Sequence, residues 1–110
     1  METIKYEDFA KVDLRVGKVI SATQIEESEK LIKLSVDLGE ENPRQILAGI
    51  KKFYEAEDLI GKNIIVVANL EPRSLMGYES HGMLLAASDE NETPVVLTTE
   101  KDTPSGSKIR

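Results

Sequence analysis

Alternation of period two dominates this chain. Across residues 12–22 the even positions carry Val12, Leu14, Val16, Ile20 and Ala22, with Lys18 as the one charged member. The odd positions carry Asp13, Arg15, Gly17, Val19 and Ser21. Side chains of a strand point alternately to its two faces, so the even set is expected inside, with Lys18 as a defect and Gly17 marking a bulge or bend beside it. Residues 31–38 alternate more cleanly, with Ile32, Leu34, Val36 and Leu38 set against Lys33, Ser35 and Asp37. Gly39-Glu40-Glu41-Asn42-Pro43 has turn composition, and residues 45–50 resume as a short strand. Residues 31–50 therefore predict a hairpin.

The period then changes. Phe53, Ala56, Leu59 and Ile60 recur at helical spacing and predict a helix over residues 51–60 with one apolar face, stopped by Gly61. Residues 63–70 are almost wholly apolar and rich in β-branched side chains, as in a strand covered on both faces. Residues 71–81, with Pro72 and Gly77, read as a long connection, and residues 82–88 as a fifth strand. A loop at 89–93, a short strand at 95–99 and a turn at 104–107 follow, and residues 6–11 predict one helical turn before the first strand. The expected fold is all-β. Five strands with one short helix between the third and fourth form the element order of an OB-fold barrel, here over residues 6–90. Residues 91–110 exceed that barrel, and Val95-Val96-Leu97 marks them as a C-terminal extension used for dimerisation. Residues 1–110 read as a single domain.

Composition narrows the chemistry. A chain of 110 residues with 40% hydrophobic and 31% charged residues describes one folded domain. Without tryptophan, and with 5% aromatics, its core must be aliphatic. The lack of cysteine excludes a disulfide scaffold, a thiolate zinc site and a cysteine nucleophile. The longest apolar run, residues 64–68, is far below the ~18 residues of a membrane-spanning helix. Residues 1–8 contain acids and no apolar stretch of the secretory kind, so the expected address is the cytoplasm, with no membrane partner. His81 is the sole histidine, which leaves no histidine metal cluster. Glu26, Glu27 and Glu29 read as a solvated acidic loop rather than a cation site. No phosphate-cradling glycine motif occurs. The chain reads as a non-enzyme without a cofactor.

Charge argues against the simplest binding function. Fourteen Lys and Arg against 20 Asp and Glu give a net charge of −6, whereas nucleic-acid-binding domains usually carry an excess of cations. Distribution matters more than the sum. Residues 42–54 hold Arg44, Lys51 and Lys52 and no acid, and residues 59–70 hold Lys62 and no acid. The acids gather at 26–29, 40–41, 55–58 and from Asp89 onward. A neutral-to-positive face on an acidic body is compatible with this pattern.

Several stretches are more specific. They are Asp8-Phe9-Ala10-Lys11-Val12-Asp13-Leu14-Arg15-Val16-Gly17, Ser28-Glu29-Lys30-Leu31, Val36-Asp37-Leu38-Gly39 and Ala48-Gly49-Ile50. Most distinctive are Val67-Ala68-Asn69-Leu70-Glu71-Pro72-Arg73 and Glu79-Ser80-His81-Gly82-Met83-Leu84-Leu85-Ala86-Ala87. In this order they resemble the tRNA-binding domain of methionyl-tRNA synthetases, found at the C-terminus or as a free-standing β subunit. Structure-specific tRNA-binding proteins and the cytokine-like appendages of eukaryotic synthetases share the module. The resemblance covers about residues 6–110. It implies an OB-fold homodimer that grips the outer corner of tRNA by shape, as a non-catalytic accessory of the synthetase's catalytic subunit or domain.

The residues that would touch tRNA are Lys18, Lys30 and Lys33 on or near the first two strands, Arg44 and Lys52 from the acid-free stretch, and Asn69, Arg73, Ser80 and His81 from the long connection. A structural role stands beside the binding role for several. Lys18 could snorkel from a barrel edge. Lys51 and Lys52 could form the polar face of the helix, and Asn69 could cap a turn. Met76 and Met83 read as packing residues, Gly49 and Gly82 as points of close backbone approach. The chain also departs from the family in the direction of weaker binding. Ser74 stands where a second basic residue often follows Pro-Arg, and three acids precede Lys30. Each lost phosphate contact weakens binding and flattens its salt dependence by about 0.9 log unit, which points to micromolar or weaker affinity for the isolated domain. Presentation of two faces by a dimer, or tethering to a catalytic partner, offsets that loss. The alternative reading is a chaperone-like or protein-docking OB-fold dimer, which the acidic charge also fits.

Overall fold

The computed structural model describes residues 1–110. In chain order its elements are α1 (Tyr6–Phe9), β1 (Leu14–Gln24), β2 (Ile32–Asp37), β3 (Arg44–Ala48), α2 (Ala56–Leu59), β4 (Asn63–Val67), β5 (Arg73–Leu75), β6 (Tyr78–Ser80), β7 (Met83–Leu84), β8 (Ala86–Ser88), β9 (Pro94–Val96) and β10 (Lys108–Ile109). The main antiparallel sheet runs β3-β2-β1-β4-β7 and curls toward closure. The chain just before β7 completes it. The His81 amide donates to the Gln45 carbonyl at 2.8 Å, and the Leu47 amide to Ser80 Oγ at 3.0 Å. The result is a nearly closed five-stranded barrel with a short helix between β3 and β4, as the element order predicts for an OB-type fold.

The clean alternation of β2 is obeyed: Ile32, Leu34 and Val36 point inward and are buried, joined by Ile46 and Ala48 of β3, Ile64 and Val66 of β4, and Val19 of β1. β1 behaves otherwise than its alternation suggests. Residues paired across strands share a face, and Gly17 lies opposite Ile64 and Val19 opposite Val36. In this half the odd positions face the core. Ile20 is the unpaired residue of a bulge between Val19 and Ser21, and beyond it the even residue Ala22 faces inward opposite Leu34. Lys18 is thus an ordinary outward residue, opposite Asp37 and Asn63, and not a defect in an inward row. Val16 faces outward too, yet it is buried, because the chain near the C-terminus lies along it. The Val16 amide donates to the Ser107 carbonyl at 2.9 Å, and the Gly106 amide to the Val16 carbonyl at 2.7 Å. Gly17 is required inside the barrel: a Cβ there would stand 2.5 Å from Val36 Cγ1 and 2.9 Å from Leu38 Cδ2.

The predicted ten-residue helix shrinks to the four residues of α2 after a turn at 51–53. Leu59 is buried, whereas Phe53 and Ile60 remain about half exposed, so the four apolar residues do not share a face. One cause is Lys51. Its ammonium donates to the carbonyls of Ile25 (2.7 Å) and Ser28 (2.6 Å), anchoring the β1–β2 loop instead of extending a helix. The long connection after β4 contains the β5–β6 hairpin, turned at Met76 and Gly77, both with positive φ. The fifth predicted strand divides into β7 and β8.

The C-terminal extension packs on its own barrel. β9 pairs with β8, the Val96 amide donates to the Tyr54 hydroxyl at 3.0 Å, and β10 pairs with the start of β1. Val95 and Leu97 stay exposed.

Candidate nucleic-acid interface

The β5–β6 hairpin folds over the outer surface of β2 and β3. Leu47 shows why. Three consecutive apolar residues, Ile46, Leu47 and Ala48, cannot all face one side of a strand, and Leu47 is the one that points out of the barrel. It is nonetheless buried, under the hairpin. Ser80 holds the hairpin there: its Oγ accepts from the Leu47 amide and donates to the Gly82 carbonyl at 3.0 Å, and only 5% of the residue is exposed. Gln45 Nε2 adds a bond to the Glu79 carbonyl at 2.9 Å. On the same surface the Lys33 ammonium lies 5.0 Å from the centre of the Tyr78 ring, within cation–π reach.

Between the hairpin and the end of β3 runs a groove of about 350 Å³. Leu47, Ile50, Leu75 and Met83 give it apolar walls, Lys30 and Arg73 stand among its lining, and no acid does. Lys30, Lys33, Lys52 and Arg73 take part in none of the molecule's ion pairs.

The remaining candidates are engaged differently. Arg44 is a structural peg. Its Nε and Nη2 form a two-pronged contact with Glu40, each bond 2.8 Å, and its Nη1 donates to the carbonyls of Ala68 (2.6 Å) and His81 (3.1 Å). The hydrogen bond from Arg44 holds the Glu40 carboxyl below its ordinary value, and the same bond raises the Arg44 guanidinium. Arg44, Gln45, Leu70, Pro72 and His81 line a second, wider cavity of about 580 Å³ beside the hairpin. There His81 Nε2 meets the Glu79 carboxylate at 2.9 Å.

Asn69 clamps the chain before β1, its Oδ1 accepting from the Asp13 amide at 2.8 Å and its Nδ2 donating to the Lys11 carbonyl at 2.7 Å. Lys18 lies 3.8 Å from Asp102, whose carboxyl is lowered first by the Asn63 amide and then by Lys18. Gly82 is a close-approach glycine, where an added Cβ would stand 3.2 Å from Val66 Cγ1 and the Val67 carbonyl oxygen, but a Cβ on Gly49 would meet nothing within 4 Å. The structure thus gathers Lys30, Lys33, Arg73 and Ser80 around one hairpin, sets Arg44 and His81 beside it, puts Lys52 in the exposed turn after β3, and leaves Lys18 and Asn69 elsewhere. Tyr78, Leu75 and Leu47 belong to the surface although sequence reasoning passed them over. The triple Ile46-Leu47-Ala48 was the legible sign that this strand is covered on both faces.

Residues 14–108 match the model of a putative tRNA-binding domain. The chain belongs to that family. Its relatives include the methionine–tRNA ligases of Methanosarcina mazei, 49% identical over 110 residues, and of Caldanaerobacter subterraneus, 54% identical over 109 residues. These alignments cover 100% and 99% of this chain but only 15% and 17% of the ligases. The domain is a non-catalytic tRNA-binding appendage by family, and it spans only about a sixth of the ligases it matches. Among solved structures it resembles a MetRS-related protein from Pyrococcus horikoshii, with a TM-score of 0.94 and 36% identity over all of both chains. It also resembles the chaperone CsaA from Bacillus anthracis, with a TM-score of 0.89 and 35% identity over 99% of this chain and 100% of that one. No helix is long and apolar enough to cross a membrane.

Proposed function

We propose that this domain binds tRNA as an accessory of a methionyl-tRNA synthetase, gripping the outer corner of the molecule by shape and working in the cytoplasm. The observation that carries the reading is identity of about one half, over the whole chain, to a segment of methionine–tRNA ligases. The surface around the β5–β6 hairpin supplies the chemistry. Lys30, Lys33 and Arg73 there, and Lys52 in the exposed turn after β3, contact phosphates as cations free of acid partners. His81 offers a polar edge to sugars from the neighbouring cavity. Arg44, Asn69 and Ser80 hold the loops in place, because each already spends its hydrogen bonds on distant backbone groups. Tethered to a catalytic domain, such a module raises the hold on tRNA through effective concentration. Fluorescence anisotropy of labelled tRNA across a salt series, with Arg73→Ala alongside, tests this. Binding that weakens with salt and with the substitution supports it, and no binding at low salt by the folded protein refutes it.

The domain acts as a homodimer on this reading. Exposed Val95 and Leu97, on and just after an edge hairpin, are the surface that a second copy would bury. Val95→Glu with Leu97→Glu should give a folded monomer by light scattering, and an unchanged dimer would remove this surface from the interface.

A second reading has one observation in its favour, the likeness to the chaperone CsaA. On that reading the groove receives polypeptide. Displacement of tRNA by an unfolded apolar peptide distinguishes the two.

A further inference from the structure

The geometry points to a subsite for one unstacked nucleobase in the groove between the β5–β6 hairpin and the end of β3, with Lys30 and Arg73 holding the phosphates on either side of that base. It rests on the tRNA reading above and adds a contact that shape and charge alone do not supply.

Three features fit a base. The groove is small, near the lower end of the roughly 300–1,000 Å³ of small-ligand sites, and its walls are Leu47, Ile50, Leu75 and Met83. Room for a flat ring exists against the backbone at Gly49, where an added Cβ would meet no atom within 4 Å. Met83, 37% exposed, offers a polarisable thioether, a group that packs well against aromatic rings. Proteins take up splayed bases from single-stranded RNA loops in pockets of this kind, between apolar side chains.

Charge and backbone chemistry then favour a nucleotide over the main competitor, a neutral or basic peptide. In a chain of net charge −6, the groove is lined by two cations and no acid. A nucleotide with its flanking phosphates complements that, whereas a neutral or basic peptide does not. An extended peptide would also need free donors and acceptors along a strand edge. On the β3 edge the Leu47 amide already donates to Ser80 Oγ, and the Gln45 carbonyl already accepts from the His81 amide.

The test fills the groove. Gly49→Leu should weaken binding of a methionine tRNA transcript by about tenfold, the low end of what a base stacked on an aromatic ring contributes, since these walls are aliphatic. The slope of log K against log salt should not change, because no phosphate contact is removed. Footprinting with dimethyl sulfate and carbodiimide should show one unpaired base protected by the wild-type protein and exposed again with G49L. If wild type binds the transcript and R73A weakens it, yet G49L keeps wild-type affinity and footprint, the subsite is wrong and the tRNA reading stands. If wild type does not bind at all, the tRNA reading itself fails. Should G49L not fold, an abasic nucleotide at the protected position replaces it, with a tenfold loss expected and unchanged affinity overturning the subsite. An apolar peptide that displaces the transcript from wild type, and does not bind G49L, would assign the groove to polypeptide instead.

Discussion

The salt dependence of tRNA binding is the property on which the surface around the hairpin commits itself most sharply. Lys30, Lys33 and Arg73 there, with Lys52 in the exposed turn after β3, are the candidate cations without an acid partner. If each neutralises one phosphate, log K falls with log salt at a slope of about −3.6 per engaged protomer. Between 50 and 200 mM salt that amounts to a loss of roughly 150-fold. The double variant Lys33→Ala/Arg73→Ala removes two contacts, so the slope becomes about −1.8 and the loss over the same range about 12-fold. A dimer that lays both faces on one tRNA doubles these slopes without changing their ratio. Lys18→Ala serves as the control, since its ammonium faces Asp102 and should leave the slope unchanged. Anisotropy titrations at four or five salt concentrations give the slopes directly. Equal slopes for wild type and the double variant would refute the assignment of phosphates to this surface, whatever the absolute affinity.

Two further predictions concern the scaffold. Gly17→Ala drives a methyl group to 2.5 Å from Val36 Cγ1, and overpacking of this kind costs about 1–3 kcal/mol, which should lower Tm by about 4–15 °C; an unchanged Tm in calorimetry would mean that Val36 and Leu38 do not fill that space. The Glu40 carboxyl, held below its ordinary value of 4.5 by Arg44, favours the folded state above that pH, and the contribution is lost as pH falls through the lowered value. Urea midpoints at pH 6 and pH 3 should therefore differ less for Glu40→Gln than for wild type, modestly so because the carboxylate is about half exposed; an identical difference would show that the pair adds nothing to acid stability.

What the sequence reveals and conceals follows from where each residue finds its partner. β2 is legible because one face meets the core and the other meets water, so alternation maps directly onto burial. β1 alternates as well, but the bulge at Ile20 exchanges its two faces midway, and the chain at 106–107 buries Val16 from outside. Alternation reports that two faces exist, not which one is inside. The hairpin escapes notice for another reason. Arg73-Ser74-Leu75 and Tyr78-Glu79-Ser80 are too short and too polar to show a period. Among the site residues, Lys33 is legible from the polar face of its strand. Asn69 and Ser80 carry family motifs and Arg44 stands out in an acid-free stretch, but the work of Arg44, Asn69 and Ser80 is done on Ala68, Asp13 and Leu47, which lie 24, 56 and 33 residues away. No local pattern announces such a partner.

The net charge of −6 takes on a different meaning once the pairs are placed. Asp13 with Arg15, Glu40 with Arg44 and Asp102 with Lys18 cancel or soften acids where they stand. The cations around the hairpin have no such acid partners. At physiological salt, exposed charges more than about 8 Å apart are largely screened from each other. A phosphate on Arg73 therefore responds to that cation and only faintly to distant acids of the body. The nearest exception is the β1–β2 loop, where Glu26 and Glu27 line a small cavity together with Lys33 and Tyr78. An RNA strand that crosses Lys33 toward that loop meets repulsion, Glu29 beside Lys30 adds to it, and the approach over Arg73 is the less opposed one. On the proposed reading the acidic body thus restricts which RNA shapes can reach the cations. A basic surface would gain affinity for every polyanion, but this one gives up affinity for most of them and keeps it for a molecule whose bend follows the hairpin.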